Sequence, residues 1–291
     1  MASFKEIVSV SLELHHRTVP EISNLGARRE RSLEVLVKKH FEDRIERGEY
    51  TWREPETLAL CQVCRGLLEV GCGGSLSYIP EKLEVHGVDL VFKMAQAFKA
   101  NYPKGNIAVS DVRLLPFKDN SFDIVVSTWL LHHLAGYTRR KCLENVHVAL
   151  HEMKRVLNDK EVLVVRESLA GNILFSLVLF YATFLCAKLH INIDFLDIHS
   201  EVITCILTRN DLKQLCTQTG FEAKERSSKR WRFRKINLGE GVELTLKKNI
   251  RAHRRGGRGC KREDKDVLLD TSKPEQNTEQ AVTEAVKHLI A

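Results

Sequence analysis

Gly66-Leu67-Leu68-Glu69-Val70-Gly71-Cys72-Gly73-Gly74-Ser75 places an acidic residue and three glycines at the end of a short apolar run. The glycines let the chain turn sharply and bring backbone N–H groups close to a ligand, where a Cβ would collide. Taken alone, this pattern fits a dinucleotide site, a nucleotide site or a structural turn. Asp89, 18 positions after Gly71, closes a second apolar run. A carboxylate there can accept from both hydroxyls of a ribose. A dinucleotide fingerprint needs a third glycine, G-x-G-x-x-G. Here Leu76 occupies that position, and Glu69 beside the turn would repel a pyrophosphate. The chemistry that remains is the binding of a cationic adenosine compound.

These residues need strands that end at one edge. Short apolar runs alternate with helical periodicity along the chain. The runs at 66–70, 85–89, 106–110, 122–127 and 161–166 are expected strands. Helices are expected over 27–47, within 52–64 from about Pro55, over 92–101, over 138–157 and from Thr208 to Gly220. Residues 75–83 form a short helix or a turn crossing, and 7–14 alternate in part like a strand. Closing strands are expected over 221–226, 231–236 and 242–246. Alternation of this kind implies a parallel sheet covered on both faces, with ligands beyond the carboxyl ends of its strands. The fold class is α/β: a Rossmann-like, seven-stranded, mostly parallel sheet with helices on both faces, N-terminal helices and a basic C-terminal tail.

Several ordered segments together carry a more specific signal. They are Leu67–Gly73, Gly87-Val88-Asp89, Asp111 with Leu115-Pro116-Phe117, Ser121–Val125, and His132-His133-Leu134 followed by Glu152–Leu157. In this order they resemble the class I S-adenosylmethionine-dependent methyltransferases, and among these the ubiquinone/menaquinone methyltransferase-like (type 11) group. The resemblance covers roughly residues 50–170, and 207–221 is similar to the group's closing segment. It implies S-adenosyl-L-methionine as cofactor. Glu69, Gly71, Cys72 and Gly73 would line the methionine moiety, Asp89 would hold the ribose, and Leu90 would pack on the adenine. Asp111 would bond the adenine amino group with Val112 beside it, and Ser127 would lie beneath the methyl-donor end. Trp129, His132 and His133 would stand on the substrate side, the histidines as candidate general bases or as helix-packing residues. Three departures from the group are Ser75 for a third glycine, Asn158-Asp159-Lys160-Glu161 for a Pro-Gly-Gly turn, and Pro80 in the helix before Val85.

Composition limits the partners. The eight cysteines are scattered, and Cys61-x-x-Cys64 has no second pair at zinc spacing, so reduced thiols and no metal site are expected. No secretory h-region opens the chain, which predicts a cytoplasmic protein, with a peripheral membrane position as the variant. Residues 224–262 hold 15 Lys/Arg against 3 Asp/Glu, a balance of +12, while the rest holds 30 against 35. That segment could meet a membrane surface or RNA, or be a solvated basic face. Residues 1–48 are read as a helical extension, 49–248 as the methyltransferase domain with an apolar lid or insertion at 169–206, and 249–291 as a disordered basic tail with a short terminal helix.

The apolar segment supports a small hydrophobic methyl acceptor, quinone- or lipid-like. Two alternatives stand beside it. Arg139-Arg140 after His132-His133-Leu134 resembles the tRNA wobble-uridine methyltransferases, which implies an RNA-modifying enzyme using the basic region. A non-catalytic cofactor-fold interaction protein is the other.

Overall fold

The computed structural model describes residues 24–47, 56–57, 66–75, 78–79, 84–192, 202–233 and 236–249. Its elements in chain order are α1 (Asn24–Glu46), β1 (Gly66–Val70), β2 (Glu84–Asp89), α2 (Phe92–Asn101), β3 (Asn106–Val109), β4 (Phe122–Thr128), α3 (Arg139–Val156), β5 (Leu157–Ala170), α4 (Ile173–Leu189), α5 (Arg209–Gln218), β6 (Phe221–Phe233) and β7 (Ile236–Lys248). The seven strands form one sheet in the order β3-β2-β1-β4-β5-β7-β6. The first five are parallel, and β7 and β6 pair antiparallel at one side. This is the expected fold class.

Alternation within the strands builds two cores. Leu67, Ile124, Val126 and Val164 face Phe98 of α2. Leu68, Val70, Val125, Leu163 and Val165 face the opposite layer, where Leu143, Val146, Leu150 and Met153 of α3 and Leu212 and Leu215 of α5 pack. Helix starts follow their capping residues: Thr138 accepts from the Lys141 amide, and Thr208 and Asp211 form a reciprocal capping box.

Four local expectations change. Glu56–Thr57 is extended and pairs in parallel with Tyr78–Ile79, so these residues belong neither to a helix over 52–64 nor to one over 75–83. Residues 158–160, read as part of a turn, lie within β5. Phe122 pairs with Leu157 and Ile124 with Val162, so the extra residues form an irregularity held by Asn158 to Asp123 at 2.6 Å and Lys248 to Asp159 at 2.9 Å. Polar side chains there close the strand entry without a Pro-Gly-Gly turn. β6 and β7 are each 13 residues long, longer than the three short closing strands expected. Lys224, Glu225 and Arg226 are exposed on edge strand β6, and exposed charge of this kind discourages edge-to-edge pairing. The strand expected at 7–14, the tail at 250–291, and Cys61 and Cys64 lie outside the described residues.

Candidate active site

The carboxyl ends of β1, β2 and β4 bring the sequence-predicted residues together. Gly71 and Gly73 take positive φ, 64° and 56°. The amides of Gly71 and Cys72 both donate to the Val88 carbonyl, which ties the turn to β2. A Cβ on Gly71 would stand 2.8 Å from the Leu130 side chain. The glycine turn therefore abuts the segment that follows β4.

Asp89 is buried at the end of β2. Its Oδ2 accepts the Gly73 amide and its Oδ1 the Val91 amide, each at 2.9 Å. Burial raises its carboxyl to about 6, and the amides of Val91, Gly73 and Leu90 oppose that shift. Each oxygen keeps acceptor capacity for a further donor. Cys72 is buried, and desolvation followed by the nearby Asp89 pushes its thiol well above the ordinary range. It is an inert wall rather than a nucleophile.

Glu69 is buried in β1, level with Gly87 and Val126 on the neighbouring strands. Ser127 lies level with Val70, and its Oγ is buried with no hydrogen-bond partner among the described residues. Val112 is buried and Leu90 half-buried, both close to the β2 and β3 ends. Asp111 is already engaged: its two oxygens accept from Arg113 Nε at 3.0 and 2.9 Å, and Oδ1 also accepts the Arg113 amide at 2.8 Å. An adenine amino group there would share an acceptor with Arg113. Arg155 fixes the loop beyond, donating to the carbonyls of Leu115 and Phe117.

On the far side of the turn, Trp129 has φ 50° and its amide donates to the Arg166 carbonyl, so the chain leaves β4 in a left-handed step. His132 and His133 follow in one turn of 3₁₀ helix, with ring centroids 4.1 Å apart. His133 is held well below the ordinary imidazole range by burial, then by His132, His40 and Arg44, and is neutral.

Two contributors escaped sequence reasoning. Glu167, fully buried near the end of β5, has Oε1 2.5 Å from His132 Nδ1. It follows the apolar run Val162–Val165 only after Arg166, so no local pattern singles it out. The other is α1: Phe41 packs edge-on against His133 at 5.3 Å, and Glu46 pairs with Lys93 at the start of α2. α1 thus reaches from the β2 end to the β4 end, across β1 between them. Arg139 is not a surface group; it is buried and paired with Asp211 at 2.5 Å. Arg140 is exposed and pairs with Glu144.

The positive-φ glycines, the buried Asp89 acceptor and the Ser127 hydroxyl fit S-adenosylmethionine. Among the described residues, no cluster of three or more His, Cys, Asp or Glu could hold a metal ion.

Residues 68–165 match the family profile described as a methyltransferase domain. A protein of Encephalitozoon cuniculi named as a methyltransferase is 34% identical over 93 residues, 32% of this chain and 40% of that protein. The mouse mitochondrial arginine-hydroxylase NDUFAF5 is 32% identical over 90 residues, 28% of this chain and 25% of that protein. The chain therefore spans less than half the length of these curated relatives. A solved S-adenosylmethionine-dependent methyltransferase from Methanosarcina mazei superposes with a TM-score of 0.50 at 19% identity, over 65% of this chain and 94% of that one. That likeness concerns the fold.

Proposed function

We propose that this chain, whose residues 68–165 form a class I S-adenosylmethionine-dependent methyltransferase domain, transfers a methyl group to a small hydrophobic acceptor. Bound S-adenosylmethionine supplies an activated methyl group on sulfur. Gly71 and Gly73 would give it backbone amides, Asp89 would hold its ribose, and Ser127 would lie under its methionine end. Leu90 and Val112 would flank the adenine, and Asp111 would share its acceptor oxygens with the adenine amino group. Since the donor is already activated, most of the remaining work is alignment and exclusion of water. α1 and the segment 128–133 would contribute to both.

The observation that carries the hydrophobic acceptor is α4. It starts three residues after β5 ends, so it begins at the edge of the sheet where the glycine turn lies. Its 17 residues include one charge, Lys188. Ser176, Leu177, Phe180, Thr183 and Cys186 face inward, while Leu174, Val178 and Leu189 are exposed. Among the described residues, no helix is long and apolar enough to cross a membrane. An apolar helix that starts at this edge, with apolar residues on its outer face, suits an acceptor delivered from a lipid phase.

The test is mass spectrometry of a cell extract incubated with the protein and a deuterated methyl donor. A labelled apolar small molecule supports the reading. Label confined to RNA would favour an RNA substrate, and oxygen insertion instead of label would place the chain with its arginine-hydroxylase relative.

A further inference from the structure

We infer that Glu167 positions His132 as the base that takes a proton from the methyl acceptor, so that the acceptor is a hydroxyl or N–H compound that reaches the site protonated. This deepens the methyl-transfer reading and rests on it.

Glu167 is fully buried, and backbone donors fix both of its oxygens: Oε2 accepts the Leu131 amide and Oε1 the Ser168 amide, each at 2.8 Å. Oε1 is also 2.5 Å from His132 Nδ1. A carboxylate already serving two N–H donors is an acceptor toward the ring as well, so the shared proton belongs to Nδ1. Neutral His132 is then locked in the tautomer whose free lone pair is on Nε2. Nε2 has no partner among the described residues, and it is not among their sealed, unsatisfied atoms. The His132 side chain is 15% exposed against 1% for Glu167. The pair therefore has a sealed end and an open end.

Its placement suits the reaction. Leu130, two residues earlier, packs on Gly71, and Val165, two residues before Glu167, is level with Ser127 on β4. The base stands at the strand ends that hold the methyl donor. Beside His132 stands His133, neutral and tilted against it with ring centroids 4.1 Å apart, and around His133 lie His40 and Arg44 of α1. Glu167 is the carboxylate in this group.

A thiolate or a carboxylate needs no base, while a hydroxyl or a protonated amine does. In the step the acceptor's O–H or N–H bond breaks and its proton passes to Nε2. The acceptor atom forms the new bond to the methyl carbon, and the electron pair of the old carbon–sulfur bond stays on sulfur. His132 then releases its proton to water.

The test uses the full chain. Nitrogen-15 NMR of wild type near pH 8 should show a protonated Nδ1 and a bare Nε2 on His132, and Glu167→Gln should lose that preference. His132→Asn should bind S-adenosylmethionine within about twofold of wild type by calorimetry. It should transfer label from the deuterated donor to extract about 10²- to 10⁴-fold more slowly. The product should carry its label on oxygen or nitrogen. A bare Nδ1 in wild type, unreduced label transfer by His132→Asn, or label on sulfur, carbon or a carboxylate would overturn the inference. If Glu167→Gln does not fold, the wild-type tautomer and His132→Asn still decide it. Failure of wild type to bind S-adenosylmethionine would overturn the methyl-transfer reading instead, while the tautomer reports on the pair.

Discussion

Oδ2 of Asp89 accepts the amide hydrogen of Gly73 at 2.9 Å, so the carboxylate proposed to hold the ribose also fixes the shape of the glycine turn. One side chain joins two motifs 16 residues apart. Asp89→Ala would leave the buried amides of Gly73 and Val91 without acceptors, at roughly 1–3 kcal/mol each. The variant should melt several degrees lower, and its S-adenosylmethionine affinity should fall about 100-fold, because bonds to a charged acceptor contribute about 1.5–3 kcal/mol each. Calorimetric binding that survives the substitution unchanged would remove Asp89 from the cofactor site.

The same residue predicts a pH dependence. Burial raises the Asp89 carboxyl from its ordinary 3.8 to about 6. The folded chain therefore holds this proton more tightly than the unfolded chain. The stability contributed by the group is complete below its unfolded value and is lost as pH rises through about 6. Ligand affinity runs the other way, since ribose hydroxyls need the ionised acceptor. Titration of the apo protein with S-adenosylmethionine should show affinity rising between about pH 5 and pH 7 and level above that.

Gly71 combines a positive φ with a close neighbour. Gly71→Ala would force an L side chain into φ 64° and set its Cβ 2.8 Å from Leu130 Cδ1. The left-handed conformation alone costs about 1–2 kcal/mol. Leu130→Ala in the same chain should relieve the contact and leave the backbone cost. Chemical denaturation should therefore find the double variant more stable than the two separate losses would sum to, by about 1 kcal/mol.

The strands, and the residues that make up the candidate cofactor site, were legible because each depends on local sequence. An apolar run ending in an acidic residue and a glycine turn specifies Glu69, Gly71 and Asp89 with little help from the rest of the chain. What was not legible depends on contacts across the fold. Glu167 acts through His132, 35 residues away, and Phe41 reaches His133 from a helix whose periodicity reveals only that one face is buried. Glu56–Thr57 gave no strand signal, because two extended residues paired with Tyr78–Ile79 are too short to show a period. Arg139 looked like a candidate RNA contact beside Arg140, and only the position of Asp211, 72 residues on, shows that it is internal.

That pair gives the last prediction. Asp211 serves three groups at once: it caps α5 through the Thr208 amide, accepts the Thr208 hydroxyl, and pairs with Arg139 at the start of α3. The Arg139 side chain is only 3% exposed, so Asp211→Ala would leave a buried guanidinium without this carboxylate. Removing one partner of a buried pair costs about 3–5 kcal/mol, and the lost cap adds about 1 kcal/mol. Arg139→Met should cost less than Asp211→Ala, since a methionine can fill the volume and Asp211 keeps its two bonds to Thr208. The order of the two midpoints in urea checks this. If the basic pair instead served RNA, Arg139→Met would leave the midpoint unchanged and lower tRNA retention on a filter as much as Arg140→Met does. The burial of Arg139 predicts the opposite: a shifted midpoint for Arg139→Met and none for Arg140→Met, whose exposed pair with Glu144 contributes a few tenths of a kcal/mol at most, roughly.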